Sequence, residues 1–270
     1  MKRLATILLL CLAGTSATLS QDVLQAGYRG PKIWVTAGLK GWYGSWNIFS
    51  DTKEFLGYIN IYDQYGNYLG TGTAYLEGKE SAGGFLGGPY VSVKVGSFTG
   101  SISFATTVSS FEPSLSVRGY DQYGAPVPVY DAYGRPVGDL TTSISRQDFN
   151  LLALYSVRPE FGIFGTLKLL SYKWKVSFMG YSVEEKANYT GFGGGINSTY
   201  RFPGSPMYLY GYLGALYNST STSGMSNETV FFFDGGLGYR FVAAGIRVES
   251  GAKDGTRTIL GPVVSLYYTF

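Results

Sequence analysis

Residues 258–270 read Thr-Ile-Leu-Gly-Pro-Val-Val-Ser-Leu-Tyr-Tyr-Thr-Phe, and this stretch decides the fold. Leu260, Val264, Leu266, Tyr268 and Phe270 share one parity and form an apolar face. Gly261, Val263, Ser265, Tyr267 and Thr269 form the other. Successive side chains on an extended backbone point to opposite sides, so alternation of this length predicts a β-strand with two different surroundings. Pro262 falls on the apolar face and removes a ladder donor, which predicts a bulge or the upper end of the strand there.

The same period recurs toward the N-terminus, rich in Tyr, Phe, Val, Leu and Thr and broken by Gly, Pro, Asn and Asp. Ile33, Val35, Ala37 and Leu39 alternate with Trp34, Thr36, Gly38 and Lys40 in a first strand. Further strands are expected at 90–95, 100–108, 148–157, 162–172, 190–201, 207–217, 229–241 and 244–250, which with the last makes ten. Short turns are expected near Gly96, Pro159, Pro203 and Val242, and long loops over 43–88 and 109–147. An even number of strands puts both ends of the sheet on one side.

Composition agrees with a non-aqueous solvent. Charged residues make up 14% of the 270 positions, against about 25% in a soluble domain, while aromatics reach 17%. Disorder needs the reverse balance. Residues 1–20 carry Lys2 and Arg3, an apolar core from Leu4 to Leu12 and then small polar residues, the layout of a cleaved export signal. That core is about half of what a spanning helix requires, and no later run is long enough to be one. Cleavage would remove Cys11, the only cysteine, and leave 19 cations against 18 acids. Residues 21–31 are then a short periplasmic lead and 32–270 a single barrel domain. A near-neutral mature chain implies no nucleic-acid partner.

An export signal, ten alternating strands and a terminal Tyr268-Thr269-Phe270 resemble the β-barrels of Gram-negative outer membranes. The resemblance implies a closed antiparallel transmembrane β-barrel of about 10 strands (8 or 12 as alternatives), with long extracellular loops and short periplasmic turns. It also implies that Tyr268 and Phe270 belong to the signal read by the barrel-assembly machinery, and that the surroundings are outer-membrane lipid and lipopolysaccharide. It names no subfamily.

If the more apolar parity faces lipid, the charges sort to the other side. Lys40, Lys94, Asp148, Arg201, Asp234, Arg240, Arg247 and Glu249 all take the less apolar parity of their strands and are expected to face the lumen. Lys168 has no assigned side, because Phe164, Leu167, Leu169 and Leu170 make its strand apolar on both. Ten strands enclose little more than side chains, so a largely filled lumen is expected, with a narrow channel lined by Lys40, Lys94, Arg201, Arg240 and Arg247 as the alternative. Tyr208, Tyr210 and Tyr212 share the inward parity, as do Gly191, Gly193 and Gly195 on the preceding strand; the rings are expected to cover those glycines.

One motif repeats in the long loops. Tyr62-Asp63-Gln64-Tyr65-Gly66 matches Tyr120-Asp121-Gln122-Tyr123-Gly124, and Tyr130-Asp131-Ala132-Tyr133-Gly134 is a looser third copy. Asp at the first turn position and Gly three residues on predict hairpin tips. Tyr62, Tyr65, Tyr120, Tyr123, Tyr130 and Tyr133 are therefore candidate contacts for an external glycan or protein ligand. The chain has no His, which the enzymatic outer-membrane barrels mostly rely on, and Glu184 and Glu185 are adjacent and would point apart on a strand. No enzyme is expected, and no cofactor or metal site, since His and mature Cys are both absent. The functional expectation is a structural or surface-interaction barrel.

Overall fold

The alternation in the C-terminal stretch becomes a strand whose two faces are sharply different. In this computed structural model, which describes residues 33–47, 53–62, 65, 67–78, 81–130, 135–178, 181–223, 225–251 and 258–270, Leu260, Val264, Leu266, Tyr268 and Phe270 are exposed while Ile259 and Val263 are buried. Residues 1–20 and 21–31, and with them the expected signal and lead, lie outside the described residues.

The strands in chain order are β1 (Ile33–Trp46), β2 (Lys53–Tyr62), β3 (Tyr68–Gly78), β4 (Ala82–Val95), β5 (Phe98–Ser109), β6 (Leu115–Tyr120), β7 (Pro126–Val127), β8 (Val129–Tyr130), β9 (Pro136–Val137), β10 (Asp139–Arg158), β11 (Phe161–Phe178), β12 (Tyr181–Arg201), β13 (Met207–Ser219), β14 (Glu228–Tyr239), β15 (Val242–Gly251) and β16 (Thr258–Thr269). Ten of them form a closed wall in the order β1-β4-β5-β10-β11-β12-β13-β14-β15-β16, with β16 paired back onto β1 and β10 onto β11. Closure follows from chemistry: hydrocarbon offers nothing to a backbone N–H or C=O, so a sheet in lipid cannot keep a free edge.

Connections at one end are short, at 96–97, 159–160, 202–206 and 240–241. Gly96, Gly204 and Arg240 take positive φ in three of them, at 58°, 70° and 50°. At the other end the chain builds extra sheet. The β6, β3 and β2 ribbon continues from the first residues of β10 through Asp139↔Ser116 and Leu140↔Leu115, and β8 pairs with β9 separately. A bilayer is crossed by about 9–11 residues of tilted strand. The 20, 18 and 21 residues of β10, β11 and β12 therefore run well past it.

Strand bounds differ from expectation at this end. β1 runs to Trp46, β4 starts at Ala82, β10 at Asp139 and β12 at Tyr181, so both expected long loops are shorter and contain sheet. Pro262 marks neither a bulge nor a strand end. The register of β16 is constant toward β15 and toward β1, but the β1 ladder omits Tyr43 and Gly44, which stand opposite Pro262 and Gly261. The missing donor is absorbed as a gap in the ladder.

The outer face carries Leu213, Ile196 and Phe233 side by side in register on three adjacent strands, all exposed. Leu213→Arg places a cation in that apolar girdle. The substitution is expected to cost about 2–4 kcal/mol in urea unfolding from lipid vesicles; an unchanged midpoint would show that this face does not meet lipid.

Candidate functional site

Inside the wall, the inward parity of each strand is filled in layers. The layer nearest the long loops is apolar and aromatic: Trp46, Phe111, Ile144, Tyr172, Tyr189 and Ile259 form one buried cluster. Phe111 comes from the segment after β5, which turns inward and makes a two-way backbone bridge to Ile144, Phe111 N to Ile144 O at 2.9 Å and Ile144 N to Phe111 O at 2.7 Å. Its ring meets Trp46 edge-on at 5.3 Å. It also lies over Gly84, where a Cβ would come within 2.7 Å of the ring, so this layer needs a glycine in β4.

Below it lies a network of buried charges. Arg146 on β10 donates to both carboxylate oxygens of Asp148 at 2.7 Å, a fork-to-fork pairing, and Arg146 Nη2 also reaches Glu249 Oε2 at 2.6 Å. Lys168 on β11 stands 3.0 Å from Glu249 and 3.1 Å from Asp148. Arg247 donates to Glu249 at 2.6 Å, and Lys40 on β1 pairs with Asp234 on β14. Trp42 is flanked by two guanidinium groups, Arg146 at 5.6 Å and Arg247 at 5.0 Å from its ring.

The geometry of the first contact is decisive. Going round the wall, β10 and β15 are five strands apart in either direction, so the Arg146–Glu249 pair spans the full width of the lumen. The two side chains therefore meet inside the lumen and bridge its opposite walls at 2.6 Å. A third layer follows toward the short turns: Phe164 packs on Tyr212 and Phe232 at 5.9 and 6.0 Å. The last one consists of Tyr208 and Tyr267, whose hydroxyls share a hydrogen bond, with Tyr90 at the position where Gly38 leaves room for its ring.

The residues singled out from sequence divide into two groups. Lys40, Asp148, Asp234, Arg247 and Glu249 meet in the network just described. Lys94 and Arg201 are exposed at the strand ends near the short turns, and Arg240 sits in the turn between β14 and β15. Lys168, which sequence could not orient, is buried and pairs inward, with Leu167 and Leu169 on the outer side. Arg146 is the network residue that sequence reading missed.

Tyr208 covers Gly238 of the following strand, where a Cβ would approach its ring to 1.9 Å, and the Tyr210 hydroxyl stands 2.8 Å from the Cβ position of Gly245. It is backbone of β13 that crowds Gly193 and Gly195, and the Asn218 side chain that covers Gly191. The tyrosines thus cap glycines on β14 and β15 rather than those expected on β12, because the register sets Tyr208 and Tyr210 opposite Gly238 and Gly236.

Outside the wall, the second copy of the repeat forms a tight turn. Asp121 Oδ1 accepts from the backbone of Tyr123 and Ala125 at 2.9 and 2.8 Å, and Gly124 has φ 81°. Tyr123 and Tyr65 are 85% and 81% exposed, and Tyr62 and Tyr130 are about half so. Tyr120 is engaged: its hydroxyl donates to Glu77 at 2.6 Å, which raises its pKa above the ordinary phenol value, and Lys53 lies over its ring at 4.3 Å. Tyr133 lies outside the described residues. At the C-terminus, Tyr268 and Phe270 both face outward with rings 4.9 Å apart, and Phe270 N donates to Val35 O at 2.8 Å.

No protein-family model matches the chain, and no curated protein matches it. Among solved structures it is similar to the beta domain of the Bordetella autotransporter BrkA, at 12% identity over 86% of this chain and 98% of that one, TM-score 0.37. It is also similar to the translocator domain of the autotransporter NalP from Neisseria meningitidis, at 14% identity over 98% of each chain, TM-score 0.28. OmpT, an outer membrane protein of Vibrio cholerae, matches at 8% identity over 89% of this chain and all of that one, TM-score 0.26. Likenesses at this level carry no argument for function. The described residues form a closed ten-stranded antiparallel β-barrel with an apolar outer girdle and a C-terminal strand that completes the wall.

Proposed function

We propose that this barrel resides in the outer membrane with its long-loop end in the medium, that its lumen is closed, and that it works by presenting that external sheet to lipopolysaccharide, a glycan or a protein. The observation that carries the closed lumen is the Arg146–Glu249 contact between opposite walls, held at 2.6 Å and backed by Trp42. Ten strands leave an interior that side chains can fill, whereas open aqueous pores need about sixteen. Lys94, Arg201 and Arg240, counted with Lys40 and Arg247 in the channel alternative, stand at one end, away from the network. Non-catalytic action is supported by the carboxylates Asp148, Asp234 and Glu249, each tied to a cation and thereby held from general-base work.

The external sheet is well suited to contact. Its hairpin β2–β3 leaves Phe55, Leu56, Tyr58, Tyr62 and Leu69 exposed, and Tyr gives large contact area at low entropic cost.

Orientation is tested by labelling intact cells with a membrane-impermeant maleimide. Tyr123→Cys is expected to react and Ser205→Cys, in a short turn, to react only after lysis; the opposite pattern would invert the topology. In planar bilayers the purified protein is expected to show no stepwise conductance, and sustained steps would overturn the closed lumen. Glu249→Gln leaves Arg146, Lys168 and Arg247 without their shared anion. Breaking a buried ion pair on one side costs roughly 3–5 kcal/mol, so its unfolding midpoint in detergent should fall well below that of the parent.

A further inference from the structure

A cavity of about 330 Å³ opens above the charge network at the long-loop end. Its wall is aromatic: Trp46, Tyr172, Trp174 and Tyr189 line it, with Trp46 and Tyr172 rings 5.3 Å apart and Tyr172 stacked on Trp174 at 5.8 Å and 28°. These side chains belong to strand segments that have left the bilayer or are about to, and they point away from lipid. Trp46, Tyr172 and Tyr189 are held in the buried cluster with Phe111, Ile144 and Ile259, whereas Trp174 packs against that cluster and is only partly buried.

The polar atoms there are of mixed kind. Thr142 Oγ1, Trp46 Nε1, Arg146 Nη1 and Asn218 Oδ1 belong to lining residues, are buried, and have no hydrogen-bond partner. Trp46 and Arg146 offer only donors and Thr142 can both donate and accept, while Asn218 Oδ1 is turned onto Gly191. A partner that accepts from the first two and exchanges a hydrogen bond with the third fits a group of hydroxyls. Charge narrows the class further. Arg146 and Lys168 in the floor are already paired with Glu249 and Asp148, and Glu185 adds a carboxylate to the lining. An anionic ligand would meet more negative than free positive charge. The volume lies at the small end of ligand sites, which run from about 300 to 1,000 Å³ and combine apolar walls with a few placed polar groups.

We propose that this cavity is a binding site for a neutral saccharide of one or two rings, its C–H face stacked on Trp174 and its hydroxyls turned to the Thr142 and Trp46 side of the cavity. The assignment deepens the surface-interaction function and rests on its orientation, since the sugar must arrive from the medium.

The test is intrinsic tryptophan fluorescence of the full chain in detergent micelles, titrated with maltose, lactose and sucrose, and in parallel with glucose 6-phosphate and choline. A saturable change with a neutral sugar, absent with the phosphate and the cation, supports the site. Trp174→Ala and Thr142→Val, checked for native β-sheet dichroism, should each weaken that response by about tenfold or more, because stacking or a hydroxyl partner is lost. The proposal is overturned by no saturation with any of the three sugars, by preferential binding of choline or glucose 6-phosphate, or by folded variants that bind like the parent. A failed titration leaves the cysteine labelling untouched, so loss of this site and loss of the orientation are separable.

Discussion

Backbone hydrogen bonding in a medium without water is the constraint on which everything else depends. A strand buried in hydrocarbon with an unpaired edge leaves several N–H and C=O groups unsatisfied, each costing several kcal/mol. The β1–β16 pairing removes the last such edge, and its nine paired positions join the two ends of the wall. Once the sheet is closed, each strand necessarily has a lipid side and an enclosed side. The period-two pattern of the sequence is the chemical record of that division.

Closure creates a second problem, which the interior solves by layers. A ten-stranded cylinder is too narrow for a wide aqueous pore and too wide for a single row of aliphatic side chains. Large aromatics therefore reach across it, and glycines give way beneath them, Gly84 under Phe111 and Gly238 under Tyr208. Arg146 does the same with a charged head, crossing to Glu249 on the opposite wall while its guanidinium rests against Trp42 and Tyr172. Its own strand supplies Asp148 as a bidentate anchor, so the guanidinium is held from its own strand and from the opposite wall at once.

The wall was legible in sequence because lipid enforces it: ten alternating segments of the chain are the ten strands, with their short turns where Gly, Pro and Arg-Phe interrupt the pattern. Legibility failed where lipid ends. In Thr141-Thr142-Ser143-Ile144-Ser145 and in Ser182-Val183-Glu184-Glu185-Lys186, water wets the outer face, the apolar parity disappears, and strand continues without its signature. Arg146 was lost for the same reason, since it falls in the stretch before β10 becomes recognisable. Lys168 was ambiguous because Phe164 and Leu170, as lumen filling, look like Leu167 and Leu169, which face out. The layers themselves depend on register between strands distant in sequence, which no local pattern encodes.

That ambiguity shows what the charge network does for the fold. On β11 the apolar pattern alone permits a one-residue slip, which would exchange the inner and outer rows at little hydrophobic cost. The slip would carry Lys168 from Glu249 into hydrocarbon, at about 2–4 kcal/mol for a cation at mid-bilayer. The same holds for Lys40 on β1 and Arg247 on β15, both of which face Asp234 on β14, while the closer partner of Arg247 is Glu249 of its own strand. Isolated buried ion pairs add little net stability over apolar filling. Their effect here is on the competing registers: a slip of β1, β10, β11 or β15 carries the cation of that strand into lipid and removes one of the contacts of the network. Because Arg146 of β10 and Lys168 of β11 converge on the single carboxylate of Glu249 in β15, a slip in any one of the three strands breaks a contact to that group, and the three are held to one mutual alignment.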